Sequence, residues 1–224
     1  MIKAKPKPLS EIAGYIKPYE RVLIVGCGGC VSVCLAGGQQ EVNILTAELE
    51  TAAGHTGTIR GYTVERQCHP AYLGDLDETV RQADCLLSLA CGAGTQLLAE
   101  RFPHLPVFPG VNTVAIGVDR DIGLYEENCR ACGECVLAYT AGICPVTRCA
   151  KSLFNGPCGG TRGEWCEVSD EVPCAWYEIY ERLKAQGRLQ DILNLRQPMA
   201  WRNQIRRRVV QKGYEGRYQP EEKS

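Results

Sequence analysis

The chain has 224 residues, a formal net charge of −1 and 45% hydrophobic residues. It is long enough for one large domain or two smaller ones and can bury a core, and its balanced charge argues against a general attraction to nucleic acid or acidic membranes. No apolar run approaches the roughly 18 residues of a membrane span.

The opening "MIKAKPKPLSEIAGYIKP" has early positive charge but no apolar stretch and no small-residue cleavage site, so it does not read as a signal peptide. A cytoplasmic location is the expectation. Disulfides are rare there. The fourteen cysteines therefore read as metal ligands or redox groups rather than staples.

"RVLIVG" (21–26) is a continuous apolar run ending in glycine, the pattern of a buried parallel strand. "QEVNILTAELETAA" (40–53) has Val42, Leu45 and Leu49 at helical spacing. "TIRGYTVERQC" (58–68) suits a strand, "LGDLDETVRQA" (73–83) a helix, "DCLLSLA" (84–90) a strand, "GTQLLAERF" (94–102) a helix and "LPVFPG" (105–110) a short strand. This alternation predicts an α/β fold, with an N-terminal four-stranded parallel sheet and flanking helices. An irregular cysteine-rich metal-cluster domain and a C-terminal helical tail complete the expected fold. The expected boundaries are 1–122, 123–175 and 176–224.

"VGCGGCVSVC" carries Cys27, Cys30 and Cys34. It is a poor dinucleotide loop. Val31 stands where G-x-G-x-x-G needs its third glycine, and Glu48 and Glu50 sit in a helical stretch. The cysteines read better as ligands. Cys27, Cys68 and Cys91 each follow a strand, and in a parallel sheet those ends share one edge, where ligands bind. Cys30 and Cys34 are i and i+4 on the following helix. Five thiols could converge where a cluster or zinc wants four, and the sequence leaves open which is spare. His69 is a further candidate zinc ligand. Gly26, Gly28 and Gly29 let backbone amides approach a cluster or an anion. A thiol-lined crevice without metal is the alternative. Cys85, set in an apolar run, reads as an ordinary buried thiol.

"CRACGEC" is C-x2-C-x2-C at Cys129, Cys132 and Cys135, followed by Cys144–Pro145. The ferredoxin run has three residues before its last cysteine, which serves the other cluster; here the gap is eight. Cys149, Cys158, Cys166 and Cys174 follow, and eight thiols make two sites of four. The later gaps of four, eight, seven and seven residues suit no common zinc ribbon. The expectation is two [4Fe–4S] clusters, with zinc as the alternative. Gly156, Gly159 and Gly160 around Cys158 offer bare amides to cluster sulfur. Such a stretch cannot fold by apolar burial alone and needs its metal.

"WYEIYERLKAQGRLQDILNL" resumes a helix, with a break expected at Gly187. A basic tail follows (Arg202, Arg206, Arg207, Arg208, Lys212). It reads as a solvated face or as a surface for a partner or an acidic electron donor. Cys68–His69 is discounted as a nucleophile and base, because neighbours on a strand point to opposite faces. No other acid/base constellation argues for catalysis on this chain alone.

"ENCRACGECVLAYTAGICPVTRCAKSLFNGPCGG", with "WCEV" and "CAWYEIYERLKAQGRL", resembles the methylenetetrahydrofolate reductase C-terminal-domain family, the MetV-type iron–sulfur small subunit. "VLIVGCGGCVSVCLAGG", "VERQC" and "LSLACGAG" extend the resemblance upstream, to roughly residues 10–195. It implies an accessory role in reducing methylene-tetrahydrofolate to methyl-tetrahydrofolate, beside a flavin-bearing catalytic subunit. It implies cluster ligation by the eight cysteines from Cys129 to Cys174 and electron transfer toward that flavin. A ferredoxin-like or other electron donor is a further expected partner. A third centre, [4Fe–4S] or zinc, is an expectation for the N-terminal cysteines. Two other readings stay open: a structural zinc module for docking, and a zinc-activated thiolate serving methyl transfer.

Overall fold

The run Arg21–Cys27 forms strand β2 at the centre of a parallel sheet, with every residue from Val22 onward buried. Both faces of such a strand are covered, so the apolar run is continuous rather than alternating. The computed structural model describes residues 1–200 and 208–218. They group into two compact units, Met1–Asn128 and the part from Cys129 onward.

In the first unit, β1 (Ile2–Pro6) and α1 (Leu9–Ile16) precede β2. Then come α2 (Cys30–Val33), α3 (Gln39–Thr51), β3 (Thr58–Val64), a 3₁₀ turn (Pro70–Leu76), α4 (Asp77–Val80), β4 (Cys85–Ser88), α5 (Gly92–Arg101) and β5 (Val107–Pro109). The sheet order is β3-β2-β4-β5, and all its pairings are parallel. Cys27 pairs with Val64 and Val25 with Ser88, so β2 and β3 end level and β4 ends two residues short of them.

The flanking helices follow the apolar spacing. Val42, Leu45 and Leu49 of α3 are buried against one face with Ile12, Ile16, Val22 and Ile24. The opposite face packs Leu73, Leu76, Val80 and Leu98 against Leu23, Val25 and Leu86. Each such side chain contributes about 1.5–3 kcal/mol on burial. The segment expected as one helix over 73–83 is instead the 3₁₀ turn followed by the single turn α4. Pro70 opens it and Gly74 sits inside it, and glycine weakens a helix interior.

A second sheet went unread in the sequence. β6 (Val111–Asp121) and β7 (Leu124–Cys129) form a sheet with β1 in the order β1-β6-β7, and β1 pairs with β6 antiparallel. Lys3 is only 2% exposed. Its ammonium group pairs with Asp119 and lies 4.1 Å from the Tyr125 ring centroid.

The second unit is loop-rich. It contains α6 (Pro145–Arg148), a small antiparallel hairpin of β8 (Trp165–Cys166) and β9 (Ser169–Pro173), and α7 (Ala175–Ala185). Trp176, Ile179 and Leu183 of α7 are buried with Ile143. The helix stops at Ala185, and Gly187 follows with φ 67°, the left-handed conformation that glycine adopts at helix ends. No helix among the described residues is long and apolar enough to cross a membrane.

Candidate metal centres

All fourteen cysteines are free thiols. In the first unit, the Cys27 N–H donates to the Gly37 carbonyl at 2.8 Å and the Gly28 N–H to the Val64 carbonyl at 2.9 Å. These bonds fold the glycine-rich loop back over the sheet edge. Cys30 opens α2, Cys68 lies just beyond β3, and Cys91 is the N-cap residue of α5.

Burial pushes the Cys27 thiol above its usual pKa, and the neighbouring Cys68 and Cys91 thiols act in the same direction. The backbone N–H groups of Gln67 and Gly29 are aimed at its sulfur and act the other way. Cys27 ends β2, and Cys68 and Cys91 lie in the segments that follow β3 and β4, all on the carboxyl side of the sheet.

Cys34 is placed differently. The helix ends at Val33, and Cys34 is its C-cap. The Ala4 N–H donates to the Cys34 sulfur at 3.4 Å, and the thiol faces the carbonyls of Val31 and Ala4 at 3.6 and 3.8 Å. This sulfur is turned toward β1 inside the core. His69 serves its own turn of chain, where its Nδ1 accepts the Ala71 N–H at 3.3 Å and caps the 3₁₀ turn. Cys85 is wholly buried, and burial pushes its thiol up to about 12.

Beneath these thiols lies a polar network that no sequence motif announces. Gln67 and Ser88 are both wholly buried. Gln67 Nε2 donates to the carbonyls of Val25 and Gly26 at 2.7 and 3.1 Å. Its Oε1 accepts the Ser88 hydroxyl at 2.7 Å, and Ser88 shares a 2.9 Å hydrogen bond with Thr95 of α5. Gln67 thereby ties together the segments that carry Cys27, Cys68 and Cys91. In sequence it is one glutamine at the end of a strand.

In the second unit, Cys129 is the last residue of β7. The loop after it turns through left-handed Ala131 (φ 51°) and Gly133 (φ 86°). For alanine that conformation costs roughly 1–2 kcal/mol. It brings the Ala131 N–H to the Cys129 sulfur at 3.3 Å. N–H groups aimed at cysteine sulfur are how a protein supports a thiolate-bound cluster.

Cys144 is the N-cap of α6 with Pro145 at its first position, and Cys149 is its C-cap. Cys132 and Cys144 border an apolar group of Val136, Val146 and Met199. Cys149 and Cys174 border the separate group around Ile143 and Trp176. Cys135 and Cys158 are exposed, and Cys166 is buried. Gly156 and Gly159, beside Cys158, have φ of 114° and 82°. A side chain at Gly160 would collide with Glu167. Arg208 and Lys212 are exposed; Arg202, Arg206 and Arg207 lie outside the described residues.

Among the described residues, no three His, Cys, Asp or Glu side chains are drawn together closely enough to hold a metal ion. In kind, the donors fit thiolate-held clusters: free sulfurs on tight loops, with N–H groups directed at some of them.

Residues 108–202 match the family described as methylene-tetrahydrofolate reductase C terminal. That family is associated with methylenetetrahydrofolate reductase, an oxidoreductase. The matched segment contains all eight cysteines from Cys129 to Cys174 and none of the cysteines from Cys27 to Cys91. No curated protein and no solved structure matches the chain.

Proposed function

We propose that the chain is the iron–sulfur electron-transfer subunit of a cytoplasmic methylenetetrahydrofolate reductase complex. It would relay electrons from a ferredoxin-like donor to a flavin-bearing catalytic partner, which reduces methylene-tetrahydrofolate to methyl-tetrahydrofolate. The observation that carries this reading is the set of eight free thiols inside the family-matched segment.

Cys129, Cys132, Cys135, Cys144, Cys149, Cys158, Cys166 and Cys174 would hold two [4Fe–4S] clusters. Once bound, such clusters supply one-electron chemistry over a wide range of potential. The chain's own residues bind, orient and shield. The Ala131 N–H supports the Cys129 sulfur, and the amides of Gly156, Gly159 and Gly160 would donate to sulfur around Cys158. Val136, Val146, Met199 and Phe154 shield Cys132 and Cys144, and lower solvent access is one of the controls on potential. The N-terminal thiols would supply a third centre.

The test is anaerobic isolation followed by iron and acid-labile sulfide analysis and electron paramagnetic resonance of the dithionite-reduced chain. Iron, sulfide and a reduced-cluster signal that is lost in Cys132→Ser and Cys158→Ser variants are expected. Zinc without sulfide at the eight-cysteine segment would overturn the electron-transfer reading and leave a structural docking module.

A further inference from the structure

We propose that the cavity between residues 194–199 and the loop carrying Val136 and Tyr139 binds a planar heteroaromatic ring with a lactam edge and an anionic tail, the chemistry shared by a flavin phosphate and a folate. Only the choice of probes rests on the proposed function; the lining itself sets ring, edge and tail.

The cavity has a volume of about 500 Å³, within the roughly 300–1,000 Å³ of small-molecule sites. Val136, Tyr139, Phe154 and Met199 supply its apolar wall. Val136 and Met199 are buried, with Phe154 packed against them. Phe154 is placed through its neighbour, because the Leu153 carbonyl accepts the Trp176 indole N–H at 2.8 Å. Two aromatic side chains on one cavity suit a flat ring, which they can meet in offset or edge-on geometry.

Polar groups line the same space. Asn194 and Gln197 bring amides, which both donate and accept. Glu134 brings a carboxylate, one oxygen of which accepts the Ala200 N–H at 3.3 Å. An ionised carboxylate only accepts. Beside two amides it favours an edge where a ring N–H adjoins a C=O over a ring of acceptors alone.

Arg196 supplies charge for the tail. Both its backbone groups are spent on Asn155, at 2.7 and 2.8 Å. Its guanidinium lies 4.4 Å from the Tyr139 ring centroid. A guanidinium stacked on a ring keeps its in-plane N–H groups for a carboxylate or phosphate. Among the described residues the carboxylates nearest in the chain are taken elsewhere: Asp191 by Arg188, and Glu178 by Arg148 and Arg182. The apolar wall also borders Cys132 and Cys144, so an occupant would add to the cover over those two thiols.

The test uses the full chain isolated without oxygen and without a partner. Flavin mononucleotide, methyl-tetrahydrofolate and adenosine monophosphate are titrated by isothermal calorimetry. Expected is saturable binding of the flavin or the folate at one site. Adenosine monophosphate, whose ring lacks the lactam edge, should bind at least about tenfold more weakly. The tighter of the first two names the source of the ligand. Binding of neither, or of all three alike, overturns the proposal.

A variant locates the site. Arg196→Gln keeps the backbone bonds to Asn155 and should weaken the tailed ligand about tenfold or more, as loss of a charged hydrogen bond does. Its tail-less counterpart, riboflavin or pterin, should bind as to the parent, which also shows that the cavity is still formed. Equal loss for tailed and tail-less ligands, or no loss for either, overturns the assignment. Iron and sulfide are measured on the same sample. Binding to a chain without clusters fails the electron-transfer reading and keeps the site, and clusters without binding do the reverse.

Discussion

The Ser88 hydroxyl donates to Gln67 Oε1 across 2.7 Å, with both side chains wholly buried. Replacing Gln67 by Leu keeps the volume near constant but takes a donor from the buried Gly26 carbonyl and an acceptor from the Ser88 hydroxyl, leaving the Val25 carbonyl with the Leu89 N–H and Ser88 with Thr95 Oγ1. A buried polar group left unsatisfied costs about 1–3 kcal/mol. The urea midpoint of the N-terminal unit is expected to fall by that equivalent with an unchanged slope. A midpoint within error of the parent would mean that the network contributes nothing to stability.

The second unit depends on the apolar face of α7. Ile179 is wholly buried beside Ile143, Trp176 and Leu183. Ile179→Ala should destabilise by about 2–5 kcal/mol through lost burial and the remaining cavity. Tyr180, 42% exposed one residue further on, should tolerate alanine within about 0.5 kcal/mol. Thermal melts of the two variants followed by circular dichroism make the comparison, and equal losses would contradict the assigned face.

Asn155 holds the segment after α7 by two bonds. Its Nδ2 donates to the Arg196 carbonyl at 2.7 Å, and its Oδ1 accepts the Arg196 N–H at 2.8 Å. Asn155→Ala should leave the main transition nearly unchanged and loosen only this contact. Amide exchange at Arg196 should accelerate several-fold, by roughly the 0.5–1.5 kcal/mol that a hydrogen bond contributes. Unaltered exchange there would show that other contacts hold the segment.

Arg21 and Asp84 give the first unit an acid-side sensitivity. The hydrogen bond from the Arg21 guanidinium holds the Asp84 carboxyl below its usual value of 3.8. A carboxyl whose folded pKa is depressed stabilises the fold fully above its unfolded value, about 3.9, and the gain is lost as pH falls through the lower folded value. The pair is at the surface, so the effect is reduced by salt. Between pH 6 and pH 3 at low ionic strength, Asp84→Asn should lose less of its melting temperature than the parent. Parallel pH curves would remove the pair from the account.

The parallel sheet was legible because its strands are covered on both faces. "RVLIVG" and "DCLLSLA" are continuous apolar runs, and little else explains them. The sheet of β1, β6 and β7 was not legible. In β1 a lysine occupies a buried position that only Asp119 and Tyr125, more than a hundred residues away, make acceptable. The strand expected over 58–68 stops at Val64, after which Gln67 turns inward to bind β2. The spacing marks the cysteines as candidate ligands, but among the described residues it does not show which of them gather around a metal. The distinct placement of Cys34 and the bracing by Gln67 were not legible, because both depend on partners that only the folded chain brings near.

Cys85 has a practical consequence for anyone counting thiols in this protein. Its sulfur is sealed inside β4, and its ionisation is displaced to about 12, so at neutral pH it offers reagents neither access nor thiolate. Alkylation at this one position therefore counts molecules that have come apart. Recorded in the same digest, it separates a cysteine uncovered by metal loss from one uncovered by denaturation.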